Sequence, residues 1–264
     1  MKKIVLFMVA IAVVLSGCGI VSNFKDEKNL EKKTIHVVAM GDSLTVGVGD
    51  EEDKGGYIGR LASAMPNDMD GVKDVKVTNT ALKGRRSDEL ITQIKSGDLD
   101  DDLKKADVIS LTIGGNDLMK IVRENMTNLT KATFDKERAT FNKRYKEVFD
   151  LIRQRNEQAP IILLGLYNPL TVYTEDPSEL NAILKEWNGD MQKIAKKDGY
   201  AQFIAVEDLF DSNDNEVYSE DYFHPNAKGY QLMTQRIEDT LRKNNLLKLS
   251  GGTIDFKDVD KDEK

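Results

Sequence analysis

Cysteine is nearly absent: Cys18 is the single one in 264 residues, so no disulfide can form within the chain. Histidine is almost as scarce, with His36 and His224 far apart, and together these absences leave no recognisable zinc-ligand cluster. No cofactor or metal is implied. No stretch reaches the roughly 20 consecutive apolar residues that a bilayer-spanning helix needs. Basic clusters are missing as well. A formal net charge of -7 without a basic stripe argues against nucleic acid and against tight adsorption to anionic lipid head groups. No internal repeat and no Pro-rich or Gly-rich divider splits the chain, which is long enough for one well-buried core.

What is present begins with Met1-Lys2-Lys3 and a run of twelve apolar residues, Ile4 to Leu15. A positive start followed by a short apolar run reads as a secretory signal. It ends in Leu15-Ser16-Gly17-Cys18, which resembles the bacterial lipoprotein box. That resemblance implies cleavage before Cys18, lipid on its thiol, and a location on the outer face of a bacterial cell membrane; the alternative is an ordinary signal with a chance cysteine. Residues 18–33 then read as the lipidated cysteine and a charged tether. The expected organisation is a signal peptide over 1–17, this tether, a folded domain over 34–249, and a mobile acidic tail over 250–264.

Within the domain, strand-like apolar runs occur at Ile35 to Met40, Val75 to Thr78, Val108 to Ile113, Ile161 to Leu166 and Phe203 to Val206. Helical patterns separate them, and this alternation predicts a parallel sheet with helices on both faces. The helices are expected at Tyr57 to Met65, ended by Pro66; at Asp88 to Ile94, with Ser87 as N-cap; and over Leu118 to Leu129, Phe134 to Gln158 and Ser178 to Lys197. Asp98, Asp100, Asp101 and Asp102 lack the spacing of a calcium loop and read as an acidic helix start. Trp187, on an amphipathic stripe, reads as packing.

Three strand ends carry the chemistry. The first delivers Gly41-Asp42-Ser43-Leu44, in which Ser43 stands where open α/β sheets hold their ligands. It is either an exposed nucleophile or part of a turn cap. The second delivers Gly84, whose bare backbone N–H can approach a ligand or simply make a turn. The third delivers Gly114-Gly115-Asn116-Asp117; the Asn116 amide is a neutral donor suited to a developing negative oxygen, and Asn is also a turn former. The stripe Leu118, Met119, Ile121, Val122 and Met126 follows at once, either as ordinary core or as the wall of an acyl pocket or a lid. The loop Leu166 to Tyr173 either lines a cleft or covers the sheet edge.

Beyond the last strand stands Asp221-Tyr222-Phe223-His224-Pro225. An aspartate three residues before a histidine can hold one ring nitrogen, leaving the other to take a proton from a serine. His36, by contrast, sits inside the first strand and reads as structural.

Taken in order, Gly41-Asp42-Ser43-Leu44, Gly84, Gly114-Gly115-Asn116-Asp117 and Asp221-x-x-His224 resemble the GDSL, or SGNH, hydrolase family over the whole domain. The resemblance implies a three-layer α/β/α sandwich on a flavodoxin-like five-stranded parallel sheet. It also implies Ser43 as nucleophile, Asp221 and His224 as its supporting pair, and an oxyanion hole made of the Ser43 and Gly84 N–H groups with the Asn116 side chain. The expected activity is hydrolysis of a small-molecule ester, with a non-catalytic, membrane-tethered acyl- or glycan-binding protein as the competing class. Lysophospholipid, simple lipid ester, thioester and sugar O-acetyl substrates all stay open.

Overall fold

The computed structural model describes residues 30–125, 130–171, 173, 176–211 and 216–257. Cys18 and the proposed signal and tether up to residue 29 lie outside these residues, as do Met126 and the last seven positions of the tail. Among the described residues no helix is long and apolar enough to cross a membrane.

The chain starts with strand β1 (Lys33–Gly41), a one-turn helix α1 (Ser43–Val46), helix α2 (Gly56–Asp68), the two-residue strand β2 (Met69–Asp70) and strand β3 (Val72–Asn79). Helices α3 (Ser87–Ser96) and α4 (Asp100–Lys105) lead to strand β4 (Val108–Thr112), then helices α5 (Gly115–Glu124) and α6 (Lys131–Arg153) to strand β5 (Ile161–Leu164). Helix α7 (Ser178–Asp198), strand β6 (Ala201–Ile204), helices α8 (Ala227–Lys243) and α9 (Leu246–Leu249) and the short strand β7 (Asp255–Phe256) complete it.

Five strands form one parallel sheet in the order β3-β1-β4-β5-β6. Alternate side chains of β1 enter opposite cores: Val38 and Met40 pack with α3, α6 and α7, and Ile35, Val37 and Ala39 pack with α2 and α8. β5 divides in the same way, Ile161 and Leu163 on one face and Ile162 and Leu164 on the other. A strand buried on both faces has no polar side, which is why these segments read as unbroken apolar runs. The result is the expected flavodoxin-like α/β/α sandwich. Because all five strands are parallel, their carboxyl ends share one edge, and the strand order reverses between β1 and β4. Crevices at such a reversal are where open α/β sheets bind ligands.

Several boundaries differ from the sequence reading. Pro66 does not end α2, which runs on to Asp68 with the Met69 N–H bonded to the Met65 carbonyl. The ring stands in the last turn, where only one helical bond is lost, and the buried Met65 and Met69 hold the turn in place. Residues 250–257 are not a mobile tail. β7 pairs antiparallel with β2, Phe256 opposite Met69, while Ile254 is fully buried and the Arg242 guanidinium lies 4.0 Å above the Phe256 ring. Acidic composition hid this, because two apolar side chains suffice to dock the segment. The acidic run does start a helix, α4, and Trp187 is buried, its ring 4.6 Å from that of Phe141.

Candidate active site

Ser43 is set by the way β1 ends. Gly41 has φ of 128°, and a Cβ there would sit 1.8 Å from the Thr112 carbonyl oxygen, so only glycine lets β1 pass the end of β4 this closely. The Asp42 N–H donates to that same carbonyl at 3.1 Å, and the Asp42 carboxylate caps α1 by accepting the Leu44 N–H at 3.1 Å. It also accepts the Thr112 hydroxyl at 2.9 Å. Burial is the dominant influence on this carboxyl and pushes it up to about 6 in spite of these bonds. Beneath it runs a chain of buried hydroxyls: Thr112 to Thr45 at 2.7 Å, Thr45 to Tyr57 at 2.8 Å and Tyr57 to Ser110 at 2.8 Å. Ser43 therefore stands on a floor tied to strand β4 and helices α1 and α2. The cap reading holds for Asp42, whereas Ser43, expected to be exposed, is buried at the crevice.

The loop before α8 brings the imidazole to this serine. His224 Nε2 lies 2.8 Å from Ser43 Oγ, and Nδ1 lies 2.5 Å from Asp221 Oδ2. The other Asp221 oxygen accepts the backbone N–H groups of Phe223 and His224, each at 2.9 Å, and the Ser219 hydroxyl at 2.8 Å. Partial burial works to raise the Asp221 carboxyl, but the bonds from the His224 ring, these two N–H groups and Ser219 outweigh it. They hold the carboxyl well below the usual carboxylate range. An ionised carboxylate only accepts, so in the neutral ring Nδ1 carries the hydrogen and Nε2 is left to accept from Ser43. The loop is braced from outside: the Tyr167 hydroxyl donates to the Phe223 carbonyl at 2.8 Å, and Glu51 accepts the Ala227 N–H at the start of α8 at 2.8 Å. His36, inside β1, takes no part.

Gly84 and Asn116 meet at the same edge. Gly84 has φ of 77°, and nothing lies within 4 Å of where its Cβ would be, so its backbone faces open space. Among the described residues the N–H groups of Ser43 and Gly84 have no intramolecular acceptor. Asn116 donates one amide hydrogen to the Arg85 carbonyl at 3.1 Å, which leaves its second to point elsewhere. Asp117, next to it, accepts both the backbone N–H and the hydroxyl of Ser87, at 2.9 and 2.6 Å. Burial raises the Asp117 carboxyl. Ser87 is thus not the N-cap of α3. That position belongs to Arg86, whose N–H is accepted by Glu89 at 2.9 Å, and Ser87 is engaged by Asp117 instead.

The sequence reading missed the hydroxyl floor and the Ser87–Asp117 link. A signal existed: Ser110 and Thr112 interrupt an otherwise apolar buried strand, and buried hydroxyls need partners. Their partners, however, lie on other elements. Part of the stripe after Asn116 and the loop after β5 border the site, while Ile121 packs into the core. Leu118, Met119 and Val122 of α5, Leu180 and Leu184 of α7 and Tyr167 line a cavity of about 670 Å³ including its open mouth, and Ser43 is on its wall. Among the described residues no group of three or more His, Cys, Asp or Glu side chains forms a candidate metal site.

Comparison with known proteins agrees with this geometry. The model of the GDSL-like lipase/acylhydrolase family matches residues 39–232. An uncharacterised protein of Bacillus subtilis, YpmR, is 37% identical over 253 residues, covering 93% of this chain and 98% of its own. The spore germination lipase LipC of Bacillus licheniformis is 28% identical over 211 residues, covering 77% of this chain and 95% of its own. Among solved structures, the lipase Lip_vut3 from a goat rumen metagenome superposes with a TM-score of 0.68 at 25% identity, covering 78% of this chain and 97% of that one.

Proposed function

The chain belongs to the GDSL-like lipase/acylhydrolase family, and on that basis we propose that it hydrolyses carboxylic esters through an acyl-enzyme on Ser43. One observation carries the reading: the Ser43 hydroxyl, the His224 ring and the Asp221 carboxylate form a continuous chain, with contacts of 2.8 and 2.5 Å. Serine at its free pKa is a weak nucleophile and needs a base within hydrogen-bond reach.

In this reading Ser43 Oγ attacks the ester carbonyl carbon while its proton passes to His224 Nε2. Asp221 fixes the ring tautomer and favours the imidazolium that results. The carbonyl π electrons move to oxygen, where the N–H groups of Ser43 and Gly84 and the Asn116 amide receive the charge. Donors of this kind are each worth about 3 to 4 kcal/mol when removed singly. Collapse of the intermediate breaks the bond to the alcohol oxygen, which leaves with the proton from Nε2. Water then attacks the acyl-enzyme, giving its proton to Nε2, and Ser43 leaves with that proton restored. Ester and water become acid and alcohol.

A fluorophosphonate probe should label Ser43 in the native protein and fail on Ser43→Ala, with hydrolysis of p-nitrophenyl acetate lost in parallel. Absence of labelling would favour a non-catalytic acyl- or glycan-binding protein. The proposal includes a lipid on Cys18, supported by the Leu15-Ser16-Gly17-Cys18 sequence, and a tether that ends before Lys33, which is already the first residue of β1. Under it, Cys18→Ser should move the protein from the membrane to the soluble fraction of a bacterial host.

A further inference from the structure

We propose that Asp50 and Arg60 are positioning residues for the reaction, their ion pair closing residues 47–56 into a rigid bracket that sets the reach from His224 to Ser43. This rests on Ser43 and His224 having the roles given above. The two are 181 positions apart and share neither a strand nor a helix, so their spacing depends on what joins the segments that carry them. Residues 47–56 touch both segments. On the serine side the N–H groups of Gly47 and Val48 donate to the Ser43 carbonyl, each at 3.1 Å. On the histidine side the Tyr230 hydroxyl of α8 donates to the Val48 carbonyl at 2.7 Å, and Glu51 accepts the Ala227 N–H at 2.8 Å. Between them Gly49 lies so close to the histidine loop that an added Cβ would sit 2.6 Å from the Pro225 carbonyl oxygen and 2.9 Å from Ser219 Oγ. Pro225 follows His224 directly, and Ser219 donates to the Asp221 carboxylate.

The pair supplies the stiffness that the segment lacks. Gly47, Gly49, Gly55 and Gly56 all have φ between 63° and 90°, and a segment with these glycines has much conformational freedom to lose. Asp50 closes it. Its carboxylate is 1% exposed; Oδ2 accepts the Gly56 N–H at 2.9 Å and Arg60 Nη1 at 2.5 Å, while Oδ1 accepts Arg60 Nη2 at 2.8 Å. The guanidinium forks over both carboxylate oxygens, which fixes their relative orientation. Arg60 stands on α2, whose Tyr57, Ile58 and Leu61 pack in one core with Tyr230, Met233 and Ile237 of α8. The closed loop is thereby fastened to the same packed layer as the start of α8. A buried ion pair gains little net stability over apolar packing, and what this one imposes is geometry.

The experiment measures steady-state hydrolysis of p-nitrophenyl butyrate and the rate of fluorophosphonate labelling in the full chain. Arg60→Lys keeps the charge and loses the fork; Glu51→Ala cuts the exposed tie to α8. Arg60→Lys should lower kcat about ten- to thirtyfold and Glu51→Ala about three- to tenfold, each with KM within about twofold, since a small misplacement of the base is costly while ground-state binding is untouched. Labelling should slow by the same factors, because it draws on the same activated hydroxyl. In a His224→Ala background neither substitution should lower the residual rate further, a result that a general loss of structure would not give. Thermal melts establish folding, and if Arg60→Lys does not fold, Glu51→Ala carries the test. An unchanged kcat in both variants, a change confined to KM, or a loss that persists in the His224→Ala background would overturn the bracket and leave the Ser43–His224 reading in place. A native protein that neither hydrolyses an ester nor takes the probe would remove that reading and the bracket with it.

Discussion

Asp117 accepts two hydrogen bonds from Ser87, one from its backbone N–H at 2.9 Å and one from its hydroxyl at 2.6 Å, and so binds the start of α5 to the start of α3. The residue before it, Asn116, donates to the Arg85 carbonyl two positions before Ser87. Adjacent residues in the first turn of α5 therefore grip alternate residues at the entry to α3, and the spacing of Gly84 from the Asn116 amide follows from this grip. Asp117→Ala removes the acceptor of two buried donors, which should cost about 1 to 3 kcal/mol of stability. kcat on p-nitrophenyl butyrate should fall about tenfold or more with little change in KM, because the donors are displaced and ground-state binding is not. Asp117→Asn, which keeps one acceptor oxygen, should recover part of kcat. Equal losses in kcat for both variants, or a change confined to KM, would contradict a positioning role.

Asp42 is a buried carboxylate whose burial pushes its pKa up to about 6 from an ordinary 3.8. A pKa raised by folding means that the folded state holds the proton more tightly. The group's contribution to stability is complete below about pH 3.8 and is lost as pH rises through about 6. At neutral pH the ionised group is therefore a burden of at most about 3 kcal/mol. Asp42→Asn retains an acceptor for the Leu44 N–H and the Thr112 hydroxyl, so it should raise Tm at pH 7.5, by an amount that shrinks toward pH 4. Thermal melts of the two proteins across that range test the sign.

Gly84 separates backbone strain from steric fit. Its φ of 77° disfavours any side chain, yet an added Cβ would meet nothing within 4 Å. Gly84→Ala should thus cost only about 1 to 2 kcal/mol in stability. Turnover should fall by about ten- to a hundredfold if the N–H is an oxyanion donor, since a relaxed φ would aim it elsewhere. A large loss of Tm with unchanged kcat would remove Gly84 from the site.

In the proposed mechanism Ser43 and His224 act on one proton. Ser43→Ala and His224→Ala should each lower kcat by roughly four to six orders of magnitude, and the double variant should lose no more than either. Losses that multiply in the double variant would show two independent contributions.

Local pattern made the sheet legible. Ile35 to Met40 and Ile161 to Leu164 are buried on both faces, and burial on both faces leaves an apolar run that anyone can read along the chain. The three strand ends bearing Ser43, Gly84 and Asn116, and the Asp221-x-x-His224 spacing, were legible for a related reason: each is a short segment in which the turn residue and the reactive side chain are sequence neighbours. Ser87 was misread because its neighbours resemble a helix start, and what decides its role is Asp117, thirty positions away. The hydroxyl floor of Thr112, Thr45, Tyr57 and Ser110, the pairing of β2 with β7 and the cavity between α5 and α7 belong to the same class. The sequence by itself determined which residues would be buried and which would stand at strand ends, because periodicity and turn chemistry act over a few residues. Only the tertiary structure decided which buried donor meets which acceptor and where space is left beside Ser43, because hydrogen-bond satisfaction and packing are settled between elements that the chain order keeps apart.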